Sequence, residues 1–277
     1  MKHLRLLALS CALAAWPAAA RCPYPLGEQL TFQAYALGIV PIGTVWMDVS
    51  TGRYANQATY QMNGRCLGDY LVYVADVRVT SQLSQQTDHS LFHAIEQYGT
   101  ERRGRQVVFD WNRNEALYTQ LQKDGSYQLH KTTPITPDVW DIFGCAFHLR
   151  RNFPTAIGAS TDVKLIEKDK VYQLRCTVKE KKPFDLGKLG VYEAMRVQLS
   201  PLNLKPDEVF KGLLNLDRDV VLWVETSTRT PIYMSTTVPF GIVRPTVKLV
   251  LKEWKIVPGF EPRRLPAEAL KSPARAK

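Results

Sequence analysis

The sequence predicts a mainly β protein: one large curled antiparallel sheet, an open β-barrel or β-spiral, with one inserted amphipathic helix. Three observations predict it. Apolar residues alternate with polar ones through most of the chain between Gly27 and Lys255. Turn-forming residues separate the alternating runs at near-hairpin spacing. Only one stretch, DIFGCAFHLRR from Asp141 to Arg151, has a helical period. About a dozen strands follow from this pattern, and a flat open sheet of that size leaves long edges and an unburied face, so curling is expected.

The opening MKHLRLLALSCALAAWPAAA has basic Lys2 and Arg5, an apolar run from Leu6 to Ala15, and the small triplet Ala18-Ala19-Ala20. This is the pattern of a secretory signal peptide cleaved after Ala20. The apolar run is far shorter than the roughly 20 residues a spanning helix needs. An exported, periplasmic protein is expected, with residues 21–257 as a single β-rich domain and 258–277 as a basic, mostly disordered tail.

Strand periods run through Glu28 to Leu37, Thr44 to Val49, Tyr54 to Met62, Tyr73 to Leu83, Ser90 to Tyr98, Gln106 to Trp111 and Ala116 to Gln122. They resume at Tyr172 to Val178, Val191 to Leu199, Val220 to Glu225, Ile232 to Val238 and Thr246 to Trp254. Asn63-Gly64, Asp124-Gly125 and Lys188-Leu189-Gly190 read as turns. Leu204 to Asp219 interrupts the rhythm as a loop with a short helical turn.

Between the two sets of strands lies the helix. Thr136-Pro137-Asp138 offers one N-cap and Asp141 another, while Arg150, Arg151, Asn152 and Pro154 mark the stop. Ile142, Phe143, Cys145, Ala146, Phe147 and Leu149 share a broad apolar arc; Asp141, Gly144, His148 and Arg151 occupy the opposite one. Arg150 falls inside the apolar arc, so it either snorkels past the helix end or is buried with a partner, for which Asp110 is the candidate. In the functional alternative it faces the barrel interior and holds the acidic head of an amphiphile.

Without the leader, Cys22, Cys66, Cys145 and Cys176 remain. An even set in an oxidising compartment favours disulfides, with three connectivities open; the absence of a CxxC pair argues against zinc. The formal net charge is +10, or +8 once Lys2 and Arg5 are gone. After export that excess points to an anionic envelope surface rather than nucleic acid, or simply to a solvated surface.

Several segments resemble the bacterial exported family known as domain of unknown function 3108. Tyr24 to Phe32 resembles that family's opening strand and Gly38 to Thr44 its first turn. Arg105 to Asp110 resembles a central strand ending in Phe-Asp. Asp141, Leu149 and Arg150 match a motif of the form Asp-Pro-Leu-Ser-x-x-Tyr-x-Leu-Arg, with Ile142, Gly144 and Phe147 departing from it. Trp223 in VLWVE and Phe240-Gly241 resemble the closing hairpin. The resemblance implies a β-rich exported protein without an established activity, similar in shape to periplasmic carriers that shield acyl chains.

Asp141, Cys145 and His148 lie at i, i+4 and i+7, which permits contact along one helix edge. A nucleophilic cysteine, however, needs a depressed pKa and an oxyanion-binding pocket, and no glycine-rich loop adjoins Cys145. His89 and His93 lack a third metal ligand at a telling spacing. No catalytic residue, metal or cofactor is therefore assigned. The expected function is a non-catalytic binding module for a lipid or other amphiphile, with Arg150, Trp46, Trp111 and Trp223 as ligand-binding residues. The alternative is a structural or interaction protein of the cell envelope without a diffusible ligand.

Overall fold

The computed structural model describes residues 25–70, 73–202, 220–237 and 246–270. The signal-peptide segment, Cys22 and the loop from Leu204 to Asp219 lie outside the described residues. The chain begins as a meander of eight strands: β1 (Gln29–Ala36), β2 (Val40–Tyr54), β3 (Gln57–Tyr70), β4 (Tyr73–Ser84), β5 (Ser90–Gly99), β6 (Arg103–Asp110), β7 (Glu115–Leu121) and β8 (Tyr127–Pro134). The two-residue β9 (Val139–Trp140) leads into helix α1 (Ile142–Asn152). The second half contains β10 (Ser160–Glu167), β11 (Lys170–Asp185), β12 (Val191–Leu202), β13 (Val220–Glu225), β14 (Pro231–Thr237), β15 (Thr246–Lys255) and β16 (Arg264–Leu265).

These strands form one sheet, ordered β8-β7-β6-β5-β4-β3-β2-β1-β15-β14-β13-β12-β11-β10-β9, with β16 added beside β12. All pairs are antiparallel except β9 with β10. The expected open barrel or spiral does not form: the path runs from β8 to β9 without returning on itself. The edges are protected by other means. Gln128, His130, Lys131 and Thr132 make β8 polar and exposed, and β9 is only two residues long.

Helix α1 covers apolar side chains from both halves of the sheet, touching β4, β9 and β10. On one side Phe147 packs with Val49, Met62 and Leu83. On the other Cys145 packs with Val163, Leu165, Cys176 and Val178. A helix with two buried sides thus meets the need for cover that closure was expected to meet.

Several local expectations are corrected. Asn63-Gly64 lies inside β3, and the β2–β3 turn is at Ala55-Asn56, both with positive φ of 45° and 67°. Gly64 is a docking point, since a Cβ there would lie 2.9 Å from Cζ of Phe143 on α1. Strands β8, β9, β10 and β16 lie outside the strand periods read from the sequence. The tail from Pro258 is docked in part: Phe260 is buried and β16 pairs with Val191 and Tyr192. Cys66, Cys145 and Cys176 are free thiols, so no disulfide joins them. Cys145 and Cys176 instead fill apolar volume as small hydrophobic side chains.

Candidate functional site

Each end of α1 is tied to the sheet by a buried polar cluster. At the N-terminus Asp141, and not Thr136, is the cap: the amides of Phe143 and Gly144 donate to its Oδ1 at 2.9 and 3.1 Å. Ser81 on β4 donates to the same oxygen at 2.5 Å, and Ser90 on β5 donates to Oδ2 at 2.6 Å. The four donors explain how a fully buried carboxylate persists there.

Ser81 also lies 2.8 Å from Nδ1 of buried His93. The serine has one proton and gives it to Asp141, so Nδ1 is the donor to Ser81 and Nε2 keeps its lone pair. Burial pushes the His93 pKa down, opposed by Asp141 and assisted by Arg105. Acid, serine and histidine thus meet, but with the serine in the middle. This wiring spends the hydroxyl proton on the cap rather than handing it to a base. Nearby, Arg105 on β6 pairs with buried Glu167 on β10 at 2.7 Å, and burial raises the Glu167 pKa despite that cation.

At the C-terminus Arg150 is 8% exposed. Its Nη1 and Nη2 donate to Glu28 at 2.8 and 3.2 Å, and Nη2 donates to Thr230 at 2.6 Å. Trp254 Nε1 and the Thr230 hydroxyl donate to Glu28 Oε1, both at 3.1 Å. The rings of Phe147 and Phe260 flank the guanidinium at 5.4 and 5.1 Å. Thr228 links Thr230 to Glu225 Oε2, with hydroxyl contacts of 2.9 and 2.6 Å. Arg229 closes the helix end by donating to the carbonyls of Arg150 and Arg151. Asp110, the expected partner, instead accepts from the amides of Asn112 and Arg113 in its own turn.

The four residues expected to meet a ligand are not gathered together. Trp46 is 38% exposed on β2, with the Arg65 guanidinium 6.0 Å above its ring. Trp111 donates to the Ser90 carbonyl at 2.7 Å and stacks on Phe109. Trp223 is buried against Phe184 under Lys182. Cys145 is buried and its pKa stands well above the thiol range, chiefly through burial, so it is a thiol rather than a thiolate. His148 stacks on Trp140 at 4.0 Å. No group of three metal-ligating side chains occurs among the described residues.

Sequence reasoning missed Glu28, Ser81 and Ser90. A signal for Glu28 was present: it shares strand parity with Leu30 and Phe32, which placed a carboxylate on a buried face. Ser81 likewise shares parity with Val79 and Leu83.

The family described as protein of unknown function, DUF3108, matches residues 31–249. The chain belongs to the DUF3108 family. The matched span takes in Ser81, Ser90, His93, Asp141, Arg150 and Thr230, whereas Glu28 and Trp254 flank it. Two of the residues on which the resemblance rested have a structural role: Asp141 caps α1 and Arg150 anchors its other end. No curated protein and no solved structure matches the chain.

Proposed function

We propose that this DUF3108 protein is a non-catalytic, periplasmic binding module for a lipid or other amphiphile. The observation that carries the reading is an apolar row across four strands. Leu222, Met234, Leu249 and Ala34 oppose one another in register on β13, β14, β15 and β1, so they share one face. Two residues along, Leu251, Phe32, Val45, Cys66 and Val77 form the next row. In the opposite direction Val247, Ala36 and Val40 form a third.

Much of this face is only half-buried, at Leu222, Met234, Leu249, Val45, Cys66 and Val77. Apolar area left partly in water is what an acyl chain would cover, at about 25 cal/mol per Å². The chemistry nearby is inert: burial, then Asp76, raises the Cys66 pKa. Arg150 in this reading braces the fold rather than gripping a headgroup, since both its Nη atoms are already engaged. The leader-like first twenty residues support export.

Native mass spectrometry and lipid extraction of the protein recovered from the periplasm test the proposal. A co-purifying acyl lipid, or uptake of a fluorescent fatty acid that Met234→Lys abolishes in a folded protein, is expected. A protein that emerges lipid-free and takes up no probe would refute the reading.

A further inference from the structure

At one end of the sheet the β1–β2 turn carries apolar side chains that no described residue covers. Strands β1 and β2 turn at residues 37–39, and the connection of β5 and β6 at 100–102 lies at the same end. Leu37 is 68% and Ile39 80% exposed, with Val40, Leu67 and Val74 also exposed nearby. Leu37 and Gly38 form a tight turn closed by the Ile39 amide donating to the Ala36 carbonyl at 3.2 Å, with φ of 50° and 78°. Such a turn favours Asn, Asp or Gly at both central positions. A leucine held there in the left-handed region, pointing into water, is explained neither by backbone preference nor by packing.

Beside and behind the tip stand an aromatic and two cationic side chains. Tyr35 on β1 lies in register with Pro41 on β2 and Lys248 on β15. The Lys248 ammonium rests against the turn, since a Cβ on Gly38 would lie 3.0 Å from its Nζ. Lys252 holds its ammonium 5.8 Å from the Tyr35 ring. Neither lysine has a carboxylate partner among the described residues.

We propose that this hairpin end docks the protein on an anionic lipid bilayer, with Leu37 and Ile39 entering the headgroup–acyl boundary while Tyr35, Lys248 and Lys252 meet the headgroups. An apolar tip with an ammonium against its turn, and an aromatic and a second ammonium behind it, has the composition of an interfacial anchor. Two strand residues separate Ile39 from the level of Tyr35 and Pro41, about 7 Å at the strand rise, which fits the roughly 5–10 Å insertion of such anchors. A protein partner would be better served by a flat patch, whereas Leu37 and Ile39 both sit on one short turn at the end of the sheet. The formal charge of +8 that remains once Lys2 and Arg5 are gone gives the chain a favourable approach to an anionic surface.

The proposal goes beyond amphiphile carriage and stands without it: a protein that docks but carries no acyl chain keeps this inference and loses the other. The test is flotation of the periplasmic protein with vesicles of phosphatidylglycerol and phosphatidylcholine in equal parts. Wild type floats, Lys248→Glu weakens flotation, and Ile39→Asp lowers the partition coefficient about tenfold or more. Leu129→Asp, at another exposed leucine on β8, floats like wild type. Because Ile39 is on the surface, an unchanged melting temperature separates lost docking from lost folding. Absence of wild-type flotation, or flotation indifferent to Ile39→Asp, overturns the proposal. A dimer that Ile39→Asp dissolves, without flotation, overturns it too and gives the tip to a second copy of the chain.

Discussion

Arg150 and Glu28, 122 residues apart, grip each other through two hydrogen bonds of 2.8 and 3.2 Å where the last turn of α1 meets the start of the sheet. The pair is roofed by Phe147 and Phe260 and shares its remaining bonds with Thr230 and Trp254. Removing one partner leaves a buried charge without compensation. Arg150→Ala and Glu28→Ala are each expected to lower unfolding free energy by roughly 3–5 kcal/mol in urea titrations. An Arg150→Met, Glu28→Leu double variant is expected to lose much less than the sum, because neither charge is then stranded.

Asp141 does more than a usual cap. Asp141→Ala removes the acceptor for two amides and also strands the Ser81 and Ser90 hydroxyls, so a loss of roughly 3 kcal/mol or more is expected. Asp141→Asn keeps the capping oxygen and is expected to cost about 1 kcal/mol. Circular dichroism during denaturation checks both.

His93 sets a pH dependence. Its folded pKa lies below the ordinary value near 6.5, chiefly through burial, so the unfolded chain binds the proton more tightly. Stability from this group is complete above about pH 6.5 and is lost as pH falls through the folded pKa. Denaturation midpoints measured from pH 7.5 downward are therefore expected to fall, and His93→Gln to flatten the slope. A weaker slope of the same sign remains from His89, whose pKa is also lowered by burial.

Gly64 and Phe143 are expected to couple. Gly64→Ala places a methyl group 2.9 Å from the Phe143 ring and should cost about 1–3 kcal/mol. In a Phe143→Ala background the same change should be close to neutral. A double-mutant cycle reads the difference.

The thiols are expected to be silent in the folded protein. Burial pushes Cys176 to about 12 and Cys145 well above its usual value. Iodoacetamide at pH 8 should leave both unmodified until denaturant is added, as peptide mapping by mass spectrometry will report.

Much of the fold was legible where alternation was clean. The strands from Ser90 and from Val191 were found because period-two patterning is written in neighbouring residues. Strand β8 was not, since an exposed edge strand such as Tyr127–Pro134 has no buried face to impose alternation. Gly64 misled for a related reason: a glycine required by a helix residue 79 positions downstream is indistinguishable in sequence from one required by a turn. The polar clusters were half legible. Arg150 advertised itself by its place in an apolar arc, and Asp141 by its place before the helix.

By itself the sequence determined the β character of the chain, the helix with Thr136 and Asp141 as its two candidate caps, and the place of Arg150 within an apolar arc. All three follow from contacts between residues close in the chain, whose geometry local periodicity encodes. The tertiary structure decided the rest: an open sheet in place of a barrel, Glu28 rather than Asp110 beside Arg150, and thiols that stay apart. Those outcomes depend on which strands become neighbours and in what register, and on one helix covering two parts of a sheet at once. Such choices are made by burial summed over distant segments, which no single stretch of sequence carries.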